Sequence, residues 1–324
     1  MKKIYSVVFA TFVAVTGLSS AIAAEPVAVK KEIKVQSVQV FTSNNSDGKI
    51  TPKMISTAFT NTGLTSAGNN DMNKPFSQRF PKLHYKTYNL AMFQNDALTL
   101  ALIKKYPNFG VLTPMTMSIW EDAGKINIST LTINGMARTA NIPLTDPDLI
   151  AYATMVQNAL KQALPNGKFK VLDFTVKNPI KSFAIDFIAD AEIDEDTTLE
   201  DFREDFESEF EGELEPIGFL FPNYANLQED LFEEAGYNVY DFYVTYSICK
   251  FDVIYPVSKL HPEAGAYAPC SFYLYKKKGE DKMHMGYLGV KNWIETLDIE
   301  DKESLTPLLE AQETINNIIE EIIE

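Results

Sequence analysis

Three histidines, two cysteines and two tryptophans are all that 324 residues contain of those types. The scarcity restricts the chemistry. A nucleophile needs a base beside it, and only His84, His261 and His284 offer an imidazole. The chain has no Gly-x-Ser-x-Gly elbow, no phosphate loop or dinucleotide fingerprint and no Cys-x-x-Cys-His haem site, so no cofactor is expected. Basic residues are also in deficit, 29 against 44 acidic ones, for a formal net charge of -15. A surface this acidic repels phosphates and anionic headgroups, which argues against nucleic acid and anionic membranes as partners. Past the first two dozen residues there is no apolar run long enough to span a membrane.

The amino-terminal stretch reads as an export signal. Met1-Lys2-Lys3 is basic, Ile4 to Val15 is apolar, and Ala21-Ile22-Ala23 fits the small-x-small cleavage rule, placing the cut near Ala23. The expected compartment is the periplasm or the exterior. Two cysteines in such a compartment, Cys249 and Cys270, are open to oxidation. A Cys249–Cys270 bridge and two buried free thiols are both consistent with the sequence, because a bridge requires Cα atoms within about 7 Å.

One stretch occurs twice. Tyr106-Pro-Asn-Phe-Gly-Val-Leu-Thr-Pro-Met-Thr-Met-Ser-Ile-Trp120 matches His261-Pro-Glu-Ala-Gly-Ala-Tyr-Ala-Pro-Cys-Ser-Phe-Tyr-Leu-Tyr275, with Pro107, Gly110 and Pro114 aligned on Pro262, Gly265 and Pro269. A Pro-x-x-Gly turn followed by a proline that opens an apolar run reads as the end of a helix, a turn and the start of a strand. In the first copy a strand Met115 to Glu121 turns at Asp122-Ala123-Gly124 into a return strand Lys125 to Ile133. In the second, Cys270 to Lys276 returns as Met283 to Val290 through a longer turn, an insertion placed at a hairpin tip. Each copy then leads to a helix, one opening at Thr145 or Asp146 with Pro147 in its first turn and one near Asp301. The mature chain therefore reads as two tandem modules, 24-165 and 166-324, after a signal peptide 1-23.

The other elements are read more coarsely. Glu32 to Phe41 alternates as a strand, Thr51 or Pro52 opens a short helix that ends at Gly63, and Ser66 to Phe80 is polar and irregular. Tyr85 to Phe93 is a strand, and Asp96 caps a helix to Lys105. In the second module, Phe169 to Val176 and Phe183 to Ala189 read as strands around a turn at Asn178-Pro179. Glu192 to Glu215 holds thirteen acidic residues against one arginine. Leu199, Phe202, Phe206 and Phe210 fall there at helical spacing, so a helix about 197-211 with a core stripe and a solvated acidic face is expected. Leu214 to Tyr237 has no evident first-module counterpart and reads as an insertion, about 214-237, with a short helix at Leu227 to Ala235. Tyr240 to Lys250 is an aromatic-rich strand. Neither Ser43 to Gly48 nor the alternating Asp190, Glu192, Asp194 and Asp196 completes a calcium loop. The first lacks the distal acid and the second lacks the glycine.

The repeat resembles the domain-of-unknown-function 302 family. The residues that carry the likeness are Pro107, Gly110, Pro114 and Ile119-Trp120 in one copy, and Pro262, Gly265, Pro269-Cys270 and Leu274-Tyr275 in the other; Met115 departs from the proline-cysteine pattern. What the resemblance implies is an α+β fold of two β-α-β(4)-α modules, each a curved antiparallel sheet with helices on one face, like half of the TATA-box-binding protein. The family has no established activity, so no catalytic residue is carried over, and fold alone does not imply function.

The preferred functional expectation is an exported, non-enzymatic binding or interaction protein of the cell envelope. Its ligand, a small molecule or an envelope protein, would sit on the open sheet face or between modules. Tyr243, Tyr246, Trp120 and Tyr275 are the candidates to line such a site, with core packing the plainer reading of the aromatics in the Tyr240 to Lys250 strand. The first alternative is soft-metal handling. Met115, Met283, His284 and Met285 offer thioether and imidazole ligands suited to Cu(I), although a strand puts His284 on the opposite face from its two methionines. The second alternative is an enzyme with a site built from His261 and Cys270.

Overall fold

The structure, a computed structural model, describes residues 35-172, 184-191 and 197-324. The expected signal peptide, the Asn178-Pro179 turn and most of the acidic alternation at Glu192 to Asp196 lie outside the described residues.

The first module runs β1 (Val38–Asn44), α1 (Pro52–Thr60), β2 (Thr65–Asp71), α2 (Asn73–Arg79), β3 (Thr87–Gln94), α3 (Asp96–Lys105), a 3-10 turn (Pro107–Leu112), β4 (Met115–Asp122), β5 (Lys125–Leu131), α4 (Ile133–Thr139), α5 (Pro147–Ala163) and a two-residue β6 (Lys168–Phe169). Its sheet is antiparallel in the order β2-β3-β4-β5-β1-β6. The second module repeats the plan: β7 (Ala184–Asp190), α6 (Leu199–Leu214), β8 (Phe219–Asn226), a π-helical turn (Gln228–Phe232), β9 (Tyr240–Lys250), α7 (Phe251–Leu260), a 3-10 turn (Pro262–Ala266), β10 (Cys270–Lys277), β11 (Lys282–Leu288), α8 (Lys291–Leu297) and α9 (Lys302–Ile323). Its order, β7-β11-β10-β9-β8, is the same topology. The fold is α+β, two antiparallel sheets each with helices on one face.

Local chemistry places the elements. Thr51 and Asp146 cap α1 and α5 with side-chain oxygens, and each of these helices opens on a proline, whose missing N–H costs nothing there. Thr198 and Asp201 form a reciprocal capping box at the start of α6. The β4–β5 hairpin turns at Ala123 and Gly124, both at positive φ. The cap of α3 is Asn95, with Asp96 in the first turn, one residue from expectation.

Several elements differ from the sequence reading. Ser66 to Phe80 is not irregular: it forms edge strand β2 and helix α2. Leu214 to Tyr237 is not an insertion, because β8 holds in its sheet the edge position that β2 holds in the first. Short helices α4 and α8 follow the return strands in both modules, and α7 is the counterpart of α3 despite Pro256 within it.

The repeated stretch does something that its local pattern does not announce. Each 3-10 turn packs on the sheet of the other module: Pro107–Leu112 lies against β10, and Pro262–Ala266 lies against β4 and β5. The contacts are reciprocal. Tyr243 of β9 donates its hydroxyl to the Pro107 carbonyl at 2.5 Å, and Ser118 of β4 donates to the Pro262 carbonyl at 2.6 Å. Ser271 in turn donates to the Pro114 carbonyl at 3.1 Å. The faces of the two sheets that carry no helices are thereby turned toward each other, and the buried apolar side chains form one continuous core through both modules. A second pair of contacts repeats as well. The side chain before each motif proline reaches the aspartate that caps its module's last helix, Tyr106 to Asp146 at 3.1 Å and His261 to Asp301 at 3.0 Å.

The two motif glycines are therefore close-approach residues. A Cβ on Gly110 would lie 2.5 Å from the Tyr243 hydroxyl and from Tyr273 Cβ, and one on Gly265 would lie 2.7 Å from a Leu90 methyl, with Ser118 also in the way. Overpacking of this kind costs about 1–3 kcal/mol. Gly110→Ala and Gly265→Ala are each expected to lower the stability of the whole chain by about that much in urea denaturation, whereas Gly212→Ala, inside α6 with open space around it, is expected to raise it by about 0.5–1 kcal/mol.

Candidate functional site

Reciprocal docking uses up the side chains that sequence pattern singled out. Tyr243 and Tyr275 lie on the inter-module face of the second sheet, stacked at 5.3 Å between ring centroids, and Tyr275 stacks in turn on His284 at 4.9 Å. Trp120 is buried at 3% exposure. Tyr246 belongs to the opposite, helix-covered face, against Phe221 and Phe272. The four candidates are thus core groups divided between two faces of the structure. Sequence pattern missed this because aromatic alternation along β9 is the same whichever layer each face meets.

The sulfur set is not gathered either. Met115, Met283 and Met285 are buried in the core at 4%, 2% and 0% exposure. Met283 and Met285 lie on the same side of β11, and His284 turns to the opposite face, where Tyr275 covers it and Glu280 lies 3.4 Å from its Nε2. Among the described residues no cluster of three or more His, Cys, Asp or Glu side chains is arranged to hold a metal ion.

Cys249 and Cys270 are free thiols, so the structure does not carry the bridge that the sequence left open. The β9–β10 register explains it. Cys270 sits opposite Ile248, one residue out of step with Cys249, and neighbouring residues of a strand point to opposite faces. Burial pushes both thiols up to about 12, which leaves them poor nucleophiles at neutral pH. His261 is engaged with the Asp301 carboxylate, and Glu263 lies 4.0 Å away. Neither cysteine is expected to react with a chromogenic disulfide reagent in the native protein, and both should react once the chain is unfolded. Rapid native labelling of Cys270 would return it to consideration as a nucleophile.

The acidic segment is a core helix with a wet face, as its periodicity indicates: Phe206, Phe210 and Leu214 of α6 are buried. One acid faces inward. Glu207 lies under the helix beside Tyr246, with the Arg203 guanidinium 3.6 Å away. Loss of solvent outweighs that neighbour and holds its carboxyl above the ordinary 4.5. The folded chain therefore keeps this proton to higher pH than the unfolded chain does. Ionised Glu207 subtracts from stability at neutral pH, and the penalty disappears as pH falls below the unfolded value. Glu207→Gln is expected to raise the urea midpoint at pH 7 and leave it unchanged near pH 4, as a pair of denaturation series would establish.

What the arrangement leaves open is a cleft at the seam of the modules. It has a volume of about 470 Å³ and takes its walls from both halves. The first module contributes Asn69, Asn70 and Asp71 of β2, Met72, Lys74 and Pro75 at the start of α2, and Leu90 of β3. The second contributes Leu220 and Pro222 of β8, Cys249, Phe251 and Pro269. The floor is apolar, and the amides and charges lie along the β2 side. Of these residues the sequence singled out Cys249 and Pro269, neither of them for a cleft; the β2 wall went unnoticed because Thr65-Ser-Ala-Gly-Asn-Asn-Asp71 has no apolar alternation.

The two sheets, their common topology and the seam between them define a tandem α+β protein of two related modules. A family model described as "Domain of unknown function DUF302" matches residues 40–166 and again 196–322. The chain belongs to that family, and carries two copies of its domain. No curated protein matches the chain. Among solved structures, the crystal structure of an uncharacterized conserved protein DUF302 from Bacillus stearothermophilus is similar at 13% identity and a TM-score of 0.35, over 44% of this chain and 98% of its own. Among the described residues no helix is long and apolar enough to cross a membrane.

Proposed function

We propose that this chain is an exported, non-enzymatic binding protein of the cell envelope whose ligand occupies the cleft between the two modules. The observation that carries the reading is the cleft itself. Among the described residues the two sheets leave room there, and the cleft's volume of about 470 Å³ is in the range of small-ligand sites. A mostly apolar floor with a few polar groups on one wall is the usual construction of such a site. Export is supported by the basic, apolar and small-residue order of Met1 to Ala23. The binding reading is preferred to the thiol-enzyme reading because both cysteines have thiols raised by burial.

Native mass spectrometry of the mature protein, isolated from an extract of its own compartment, tests the proposal. A stoichiometric added mass is expected. Leu220→Arg puts a charge on a cleft residue that is already 39% exposed, so the fold should persist while the added mass is lost. A clean apo mass, or an added mass that Leu220→Arg leaves in place, overturns the reading.

A further inference from the structure

The cleft is bordered by two strand edges. β2 ends one sheet and β8 ends the other, so each has one side with no strand partner among the described residues. Backbone pairing shows which groups of β2 face outward. In an antiparallel pair, opposed residues alternate between those that exchange N–H···O bonds and those that do not. Met72 N–H donates to the Tyr88 carbonyl at 2.9 Å, and the register continues Asp71 opposite Asn89, Asn70 opposite Leu90 and Asn69 opposite Ala91. Asn70 therefore bonds inward to β3 as Met72 does, and Asn69 and Asp71 direct their N–H and C=O groups away from the sheet. Two outward donor–acceptor pairs, about 7 Å apart, run along the mouth of the cleft.

The opposite edge is blunted. Pro222 has no N–H, and the β8–β9 register shifts between Leu220 and Asn223, two devices that keep an edge from accepting another strand. β2 has no proline. Its side chains also divide usefully. Asn69 is tied back to Ser56 and the Pro52 carbonyl on the helix side. Asn70, paired with Leu90, belongs to the side that faces the second module.

We propose that the ligand of this cleft is an extended peptide that adds to the β2 edge as a further antiparallel strand, with a large apolar side chain seated over Leu220 and Phe251. This rests on the cleft reading given above. Main-chain bonds to Asn69 and Asp71 supply affinity without regard to sequence, and the apolar floor selects the alternate side chain. Charge sets a further preference. The lining balances exposed Asp71 against Lys74, but the whole chain carries -15, so a peptide with lysine or arginine beside its apolar residue is favoured over an acidic one.

The test uses a random display library of seven-residue peptides panned against the full mature chain and, in parallel, against Asp71→Pro, which removes one outward donor without deleting a bond to β3, and with it the carboxylate that accepts from the Asn73 N–H. Enrichment on the parent chain of sequences with one large apolar residue flanked by basic ones, absent on the variant, is expected. The best enriched peptide is then synthesised together with two analogues N-methylated on alternate amides, one in each register, which keep charge and side chains while one of the two cannot pair with β2. Binding of the parent peptide should weaken at least tenfold in one of the two N-methylated registers, and hydrogen exchange at the Asn69 and Asp71 amides, fast in the free protein, should slow on binding. Should Asp71→Pro not fold, the N-methylated pair decides alone. No enrichment over the variant, or equal binding of the parent peptide and both analogues, overturns the peptide proposal. If that happens while a native added mass is still lost in Leu220→Arg, the cleft reading stands without it; if no such mass is lost, both fall.

Discussion

Everything in this fold depends on the exchange of one turn between two halves of the same chain. Each Pro-x-x-Gly turn is held by the other module's sheet, with its proline carbonyl taken by a hydroxyl from a facing strand, Tyr243 for Pro107 and Ser118 for Pro262. Glycine is required in both because the backbone comes within van der Waals distance of a facing side chain. A sheet with helices on one face has a second face to cover, and an antiparallel sheet can leave it to water. Here each module covers the other, so that two incomplete layers become one core.

That arrangement decides what remains for a ligand. The aromatic strands are consumed in the seam and under α6, and the methionines are consumed in the helix-side core. Among the described residues the outer sheet edges keep unfilled bonding capacity, and where the β2 edge meets the proline-bearing β8 edge the seam opens. Asymmetry between the repeats matters at that point. The position that is Asn-Asn-Asp in β2 is Tyr224-Ala-Asn226 in β8, and a helix follows one strand and a π-helical turn the other. Duplication set up two equivalent borders, and divergence of their side chains made them chemically different.

Much of the architecture was legible in the sequence because it rests on local chemistry. Caps at Thr51, Asp146, Thr198 and Asp301, the hairpin at Ala123-Gly124, the apolar stripe of α6 and the alternating strands of the repeat are each fixed within a few residues. The elements that escaped lack such signals. β2 is polar on both faces because it is an edge strand with water beside it, α7 contains a proline that usually ends a helix, and β8 is interrupted at Pro222. The cleft was illegible for the same reason, since its walls are built from those elements.

The duplication, the turn-strand-hairpin-helix order and the acidic helix are properties that residue pattern alone determined, because repeat spacing, capping and amphipathic periodicity act over a few residues at a time. Tertiary structure alone decided that the repeated turn crosses to the other module, that Cys249 and Cys270 fall out of step, and that a cleft opens beside β2. The crossing turn and the cleft depend on which face meets which layer, set by contacts between residues more than a hundred positions apart, and the cysteine offset depends on the β9–β10 register.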